Sequence, residues 1–151
     1  MNKQKFDELL QFAIQEEQAA FEFYTGLAGK VTDDHVKQTL LDFANQERGH
    51  KAKLEAVRAG RKLDVGAVPN VPDLKIGDYL VEVEITPELS FQGALIIAMK
   101  KEKAAYRLYM DMAAAAPDKD SREVFLFLAH EEANHKLNFE VQYDELIYQE
   151  N

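Results

Sequence analysis

The 151 residues carry 27 acids against 18 bases, a net charge of −9, and no cysteine. Such a balance would repel a phosphate backbone, and no basic stripe offsets it, so nucleic acid is excluded as an expected partner. Absent cysteine removes disulfides, thiolate metal sites and cysteine nucleophiles in one step.

The length suits one domain, 1-151, with room for a sizeable core. Met1 to Gln11 is charged and lacks the apolar centre of a signal peptide. Ala94 to Met99, the longest apolar run, is far too short to span a bilayer. The expectation is a cytoplasmic protein without a membrane partner.

Helix one is expected from about Lys5 to Ala28, with Gly29 as its stop. Leu10, Ile14, Phe21, Tyr24 and Ala28 step by four and three, the stripe of a bundle helix. Glu17 sits inside that stripe, a seat a surface acid would avoid. Thr32, Asp33 and Asp34 offer N-cap chemistry for helix two, which runs to about Ala59 and ends at Gly60. Its core positions are Val36, Leu40, Phe43, Glu47, His50, Leu54 and Val57.

From Arg61 to Ile85 the helical period breaks, with Gly66, Pro69, Pro72 and Gly77 as punctuation. Val81 to Ile85 alternates like a short extended strand. The length suits a crossover along a bundle better than a tight hairpin. Thr86-Pro87 is expected to open helix three, whose stripe is Leu95, Met99, Glu102, Tyr106, Tyr109 and Ala113. Its early turns, Phe91 and Leu95 to Ala98, are apolar nearly all round and call for a second cover, either the crossover or a partner subunit. Pro117 closes the next connection. Helix four runs from about Lys119 to Tyr148, with Phe125, Leu128, Glu132, His135 and Phe139 inside.

An internal repeat ties these elements together. Glu132-Ala133-Asn134-His135 has a copy, Glu47-Arg48-Gly49-His50, 85 positions earlier. At the same offset Glu102 falls on Glu17, Tyr109 on Tyr24, Ala113 on Ala28 and Lys136 on Lys51. On a helix, positions three apart share a face with Cβ atoms about 5–6 Å from each other, so Glu and His reach one point together. Glu17, Glu47, His50, Glu102, Glu132 and His135 thus converge as four carboxylates and two imidazoles. Four buried carboxylates would repel one another, and two divalent cations balance their −4 with both histidines neutral. Oxygen and nitrogen ligands without sulfur suit iron or manganese, and ligand type alone leaves zinc open. Glu131 and Glu16 lie about 100° round from ligands and are expected in ion pairs or beside the site. His35 and His130 are expected at the surface. Tyr106, one turn after Glu102, faces the metals, and its expected role there is packing with a hydroxyl hydrogen bond.

Glu17, Glu47-Arg48-Gly49-His50, Glu102 and Glu132-Ala133-Asn134-His135, with Tyr24 and Tyr109 two turns past the single acids, resemble the rubrerythrin branch of the ferritin-like superfamily. The resemblance covers nearly the whole chain. It implies an all-α, ferritin-like four-helix bundle with a long crossover between helices two and three and an internal two-fold repeat. It also implies two iron ions bridged by Glu47 and Glu132, with Glu17 and Glu102 terminal and His50 and His135 as nitrogen ligands. Such a centre reacts with dioxygen or hydrogen peroxide. Typical rubrerythrins carry a further Glu one turn after the helix-three ligand, where this chain has Ala105, mirrored by Ala20. They also carry a four-cysteine rubredoxin-like domain, so here electrons are expected from an external donor protein of that type. The alternative is a ferroxidase or iron-handling protein, which the symmetric six-ligand set resembles in bacterioferritin. The apolar start of helix three is compatible with a homodimer.

Overall fold

Four apolar stripes at helical spacing become four helices in the computed structural model, which describes residues 3–60, 83–116 and 118–150. They are α1 (Lys3–Lys30), α2 (Asp34–Arg58), α3 (Phe91–Ala115) and α4 (Lys119–Glu150). Pro117 and most of the 61–85 connection, including Val81 and Glu82, lie outside the described residues; Val83 to Ile85 forms no strand. Among the described residues no helix is long and apolar enough to cross a membrane.

The repeat extends to the caps. Asp33 accepts the Val36 N–H at 3.0 Å and Asp118 accepts the Ser121 N–H at 2.8 Å, so α2 and α4 begin alike. Each cap satisfies a donor that the first turn leaves without an intrahelical partner. At the far end of α2, Gly60 takes a φ of +87°, a value glycine reaches without a Cβ penalty. Two boundaries differ from expectation. Gly29 does not stop α1, which continues to Lys30 because buried Val31 still donates to the Leu27 carbonyl at 3.3 Å. Thr86-Pro87 does not open α3, because the Thr86 carbonyl closes a turn with the Leu89 N–H at 3.1 Å. The Pro87 carbonyl meanwhile takes the Thr32 N–H at 3.1 Å. Ser90 is the true cap, accepting from Gly93 N–H at 3.0 Å.

Side-chain pairs across the bundle set the directions. Along α1 and α3, Phe23 lies opposite Lys101 and Glu17 opposite Tyr109, so these helices are antiparallel. Phe43 meets Phe139 and Lys53 meets Glu131, so α2 and α4 are antiparallel too. With α1 and α2 joined by a short turn, α2 and α3 run parallel. The chain leaves α2 at one end of the bundle and enters α3 at the other, beside the α1–α2 turn, where the His35 and Phe91 rings lie 4.8 Å apart. α1 packs chiefly on α2, and α3 on α4.

The apolar core comes in two parts. One, around Tyr24, Leu40, Phe43, Leu95, Met99 and Phe139, fills the end near the α1–α2 turn. Leu89 and Val83 join it, covering the apolar start of α3, and a Cβ on Gly93 would come within 2.8 Å of Leu89 Cδ1. The other part, around Leu10, Ile14, Leu54, Met112, Phe125 and Leu128, fills the opposite end. In every helix the predicted ligands fall between residues of the two parts.

Asp33→Ala is expected to cost about 1 kcal/mol, and Asp33→Asn only a few tenths, since either oxygen caps equally well. Thermal unfolding would read the first as a drop of roughly 2–4 °C for a chain of this size.

Candidate metal centre

The layer between the two apolar parts is made of ionisable groups. Glu17, Glu47, His50, Glu102 and Glu132 are buried, with Glu132 at 0% exposure, and His135 is partly buried. Ligand atoms of Glu17, Glu47, His50 and Glu132 all lie within 4.8 Å of one another. So do those of Glu47, Glu102, Glu132 and His135. The structure therefore brings together all six residues singled out by the repeat, as two overlapping groups that share Glu47 and Glu132. The two imidazoles stack, 5.2 Å apart and 5° from parallel.

Neighbouring groups hold some of these side chains. The Tyr109 hydroxyl donates to Glu17 Oε1. His50 Nδ1 lies against Glu132 Oε1, with Glu17 Oε1 at 3.7 Å and Glu47 Oε2 at 3.9 Å. On the other side of the ring, His50 Nε2 meets Glu131 Oε2 at 2.8 Å, and Glu131 Oε1 takes Lys53 Nζ at 2.7 Å. Glu131 thus fills both expected roles, ion pair and neighbour of the site. Tyr106 has the packing role expected of it, half-buried against the apolar part around Leu10 and Phe125, while Tyr109 makes the carboxylate contact. His35 is exposed, and His130 is half-exposed beside Asn134.

Burial dominates the electrostatics. It pushes Glu47 up to about 12, with the Glu132 and Glu17 charges adding to the effect. Glu132 rises to about 7, again chiefly through burial. Burial would lower His50, yet its contacts with Glu131, Glu132 and Glu17 outweigh that and hold it up at about 12. His135, buried beside a charged His50, falls to about 4. Burial acts to raise Glu131, but contacts with His50 and Lys53 take it down to about 2.

Among the described residues, seven buried side-chain polar atoms make no well-formed hydrogen bond, and of these His50 Nδ1 and Glu132 Oε1 touch, as the ion pair above: Glu17 Oε2, His50 Nδ1, Glu102 Oε2, both Glu132 oxygens, His135 Nδ1 and the Tyr24 hydroxyl. All but the last belong to the six residues. An unpaired buried polar atom costs about 1–3 kcal/mol, more for a charged group. Such a cluster is stable when a cation supplies what hydrogen bonding does not. The donor set, carboxylate oxygen with imidazole nitrogen, fits a pair of divalent metal ions.

A groove of about 570 Å³ opens from this layer to the surface between α1 and α3. Glu17, Glu47 and Tyr109 form its inner wall, Ala19, Ala20, Ala104 and Ala105 its sides, and Glu16 and Lys101 its charged edge. Small residues one turn from the ligand acids, Ala20 and Ala105, leave this space, and its width is set by the spacing between α1 and α3.

A four-helix bundle with one Glu from each of two helices and a Glu-x-x-His from each of the others has the architecture of the ferritin-like dimetal carboxylate proteins. The Rubrerythrin family model matches residues 8–143, and the chain belongs to the Rubrerythrin family. A hypothetical protein from Pyrococcus furiosus has a similar fold, with a TM-score of 0.62 at 24% identity over 95% of this chain and 91% of that one. No curated protein matches the chain.

The shifts set a pH dependence for the metal-free protein. Glu47, Glu132 and His50 have folded values above their usual ones, so the folded state holds protons that the unfolded chain has released. Their stabilising contribution is present at low pH and is lost as pH rises. The opposing groups, His135 and Glu131, act only below about pH 6.5, the ordinary histidine value. Chelator-treated protein is therefore expected to lose stability from pH 7 to 9, by up to about 1.4 kcal/mol per pH unit for each proton retained. Glu47→Gln is expected to flatten that slope, as read by urea unfolding at each pH.

Proposed function

We propose that this chain is a di-iron redox protein that reduces hydrogen peroxide, or dioxygen, with electrons from a separate donor protein. The observation that carries the reading is the set of unpaired buried oxygens and nitrogens converging from four helices on one layer. Glu47 and Glu132 belong to both ligand groups and are assigned as the bridging carboxylates. Glu17 with His50, and Glu102 with His135, complete the two positions.

When bound, two ferrous ions supply one electron each, which balances H2O2 + 2H+ + 2e− → 2H2O. The chain's own residues do the rest. Ala20 and Ala105 keep the groove open beside Glu17 and Glu47, wide enough for a small oxidant. Tyr109 holds Glu17 by a hydrogen bond and so fixes one terminal carboxylate at the inner end of that groove. Apolar clusters on either side keep bulk water from the two ends of the layer, and the groove offers a way in. The electrons would come from an external one-electron donor, since these 151 residues include no cysteine to hold an iron–sulfur centre.

A second reading, ferrous iron oxidation and delivery, is favoured by Ala105, since the chain supplies six ligands in two matching sets. Anaerobic loading should give two irons per chain, and one peroxide should oxidise both. Turnover should continue when a reduced donor is added. Glu132→Ala is expected to lose most of the metal at fixed iron, because it removes a ligand from both positions. A chain that holds one iron or none would end the di-iron reading. Repeated oxidation of added ferrous iron, many ions per chain, with slow peroxide reaction, would favour iron handling instead. Ala105→Glu at equal iron loading would then show by stopped-flow whether the missing carboxylate limits the peroxide rate.

A further inference from the structure

The repeat predicts two equivalent metal positions, but the side chains around the ligands do not repeat. Glu131, which holds His50, falls on Gln46 at the 85-residue offset, and Lys53 corresponds to Asn138. Gln46 and Asn138 are exposed, and neither carries charge. His50 and His135 each leave Nδ1 buried without a hydrogen bond, but among the described residues only His50 has a carboxylate holding its Nε2. The tyrosines differ in the same direction. Glu17 and Glu102 each keep one buried oxygen unpaired, but Tyr109 donates to the other oxygen of Glu17, whereas the hydroxyl of its counterpart Tyr24 is unpaired.

We propose that the two positions are inequivalent, and that the one formed by Glu17, Glu47, His50 and Glu132 takes a divalent cation first and more tightly. The proposal rests on the dimetal reading above and adds an order of filling to it. The carboxylate of Glu131 is acceptor-only, so in a neutral His50 the proton sits on Nε2 and the Nδ1 lone pair faces the ligand group. Lys53 pins the other Glu131 oxygen, which fixes the ring plane. Partners of this kind orient a metal-bound histidine, and removing one typically costs 10–100-fold in affinity. Glu17 is held in the same way by Tyr109. At the second position, ordering of His135 and Glu102 must accompany binding, and that ordering is set against affinity. Glu131 and Lys53 are positioning residues: they act through His50.

The test is anaerobic titration of the chelator-treated full chain with Co(II), followed by visible absorption and by calorimetry. The expected result is two cobalt ions per chain in two steps, the first at least tenfold tighter. Glu131→Gln is expected to weaken the first step by 10-fold or more while leaving the second in place, so that the two merge. His135→Ala should keep the tight step and His50→Ala should lose it. Far-UV circular dichroism at each point checks that the helices persist. Two equal steps in the unaltered chain would overturn the proposal. So would equal weakening of both steps by Glu131→Gln, which would mark a merely structural role, or loss of the tight step in His135→Ala. Fewer than two cobalt ions in the unaltered chain would instead overturn the dimetal reading beneath it.

Discussion

Four carboxylates in one buried layer are the constraint on which this structure depends. A bundle core of this size could be apolar throughout, and on either side of the layer it is largely built that way, with the buried Lys136–Glu140 pair of α4 as an exception. At Glu17, Glu47, Glu102 and Glu132 each helix gives up an apolar seat for an acid. At Glu47 and Glu132 lost hydration and the charge of neighbouring acids disfavour ionisation. The metal-free chain compensates in part by sharing protons and by setting His50 among the acids. That arrangement leaves lone pairs without partners at the centre of the molecule. Stability is thus exchanged for a site whose donor set a pair of divalent cations would satisfy.

Much of this was legible in the sequence because the two periodicities agree. The 3.6-residue stripe placed each acid inside its helix, and the 85-residue offset showed that the arrangement occurs twice. What escaped depends on how helices sit against one another. Tyr106 and Tyr109 lie on one stripe of α3, and periodicity does not choose between them. The choice is made by the antiparallel offset that sets Lys101 against Phe23 and hence Tyr109 against Glu17. Glu131, expected in an ion pair or beside the site, takes both roles at once because α2 passes on its side and presents Lys53 and His50 to it, which one helix alone does not show. The start of α3 shows a similar effect. Thr86-Pro87 and Ser90 both carry capping chemistry, and the contact between Pro87 and Thr32 of the α1–α2 turn decides in favour of Ser90.

Repetition and its failures have different meanings in such a chain. Where the halves match, as in the Asp33 and Asp118 caps and the ligands themselves, the fold demands the same solution twice. Where they diverge, at Glu131 and Gln46 or in the use made of Tyr109 and Tyr24, the surroundings of the two half-sites have become separate. The groove adds a further asymmetry, since it opens between α1 and α3 and reaches Glu17 and Glu47.

The parallel course of α2 and α3 has a consequence for how the molecule assembles. α1 with α2, and α3 with α4, are neighbours along the chain, so each hairpin closes over a short loop and its contacts form early. Neither hairpin holds a whole metal position, because each ligand group borrows from the other half: Glu132 for the first, Glu47 for the second. Docking of the hairpins must therefore come before either position exists, and it is the step that brings the four acids together against their repulsion. A cation that binds only the docked form raises its population by mass action. On the proposed reading a bound metal would staple the two half-chains together as well as serve the chemistry, and its availability during synthesis would govern how much chain reaches the docked state.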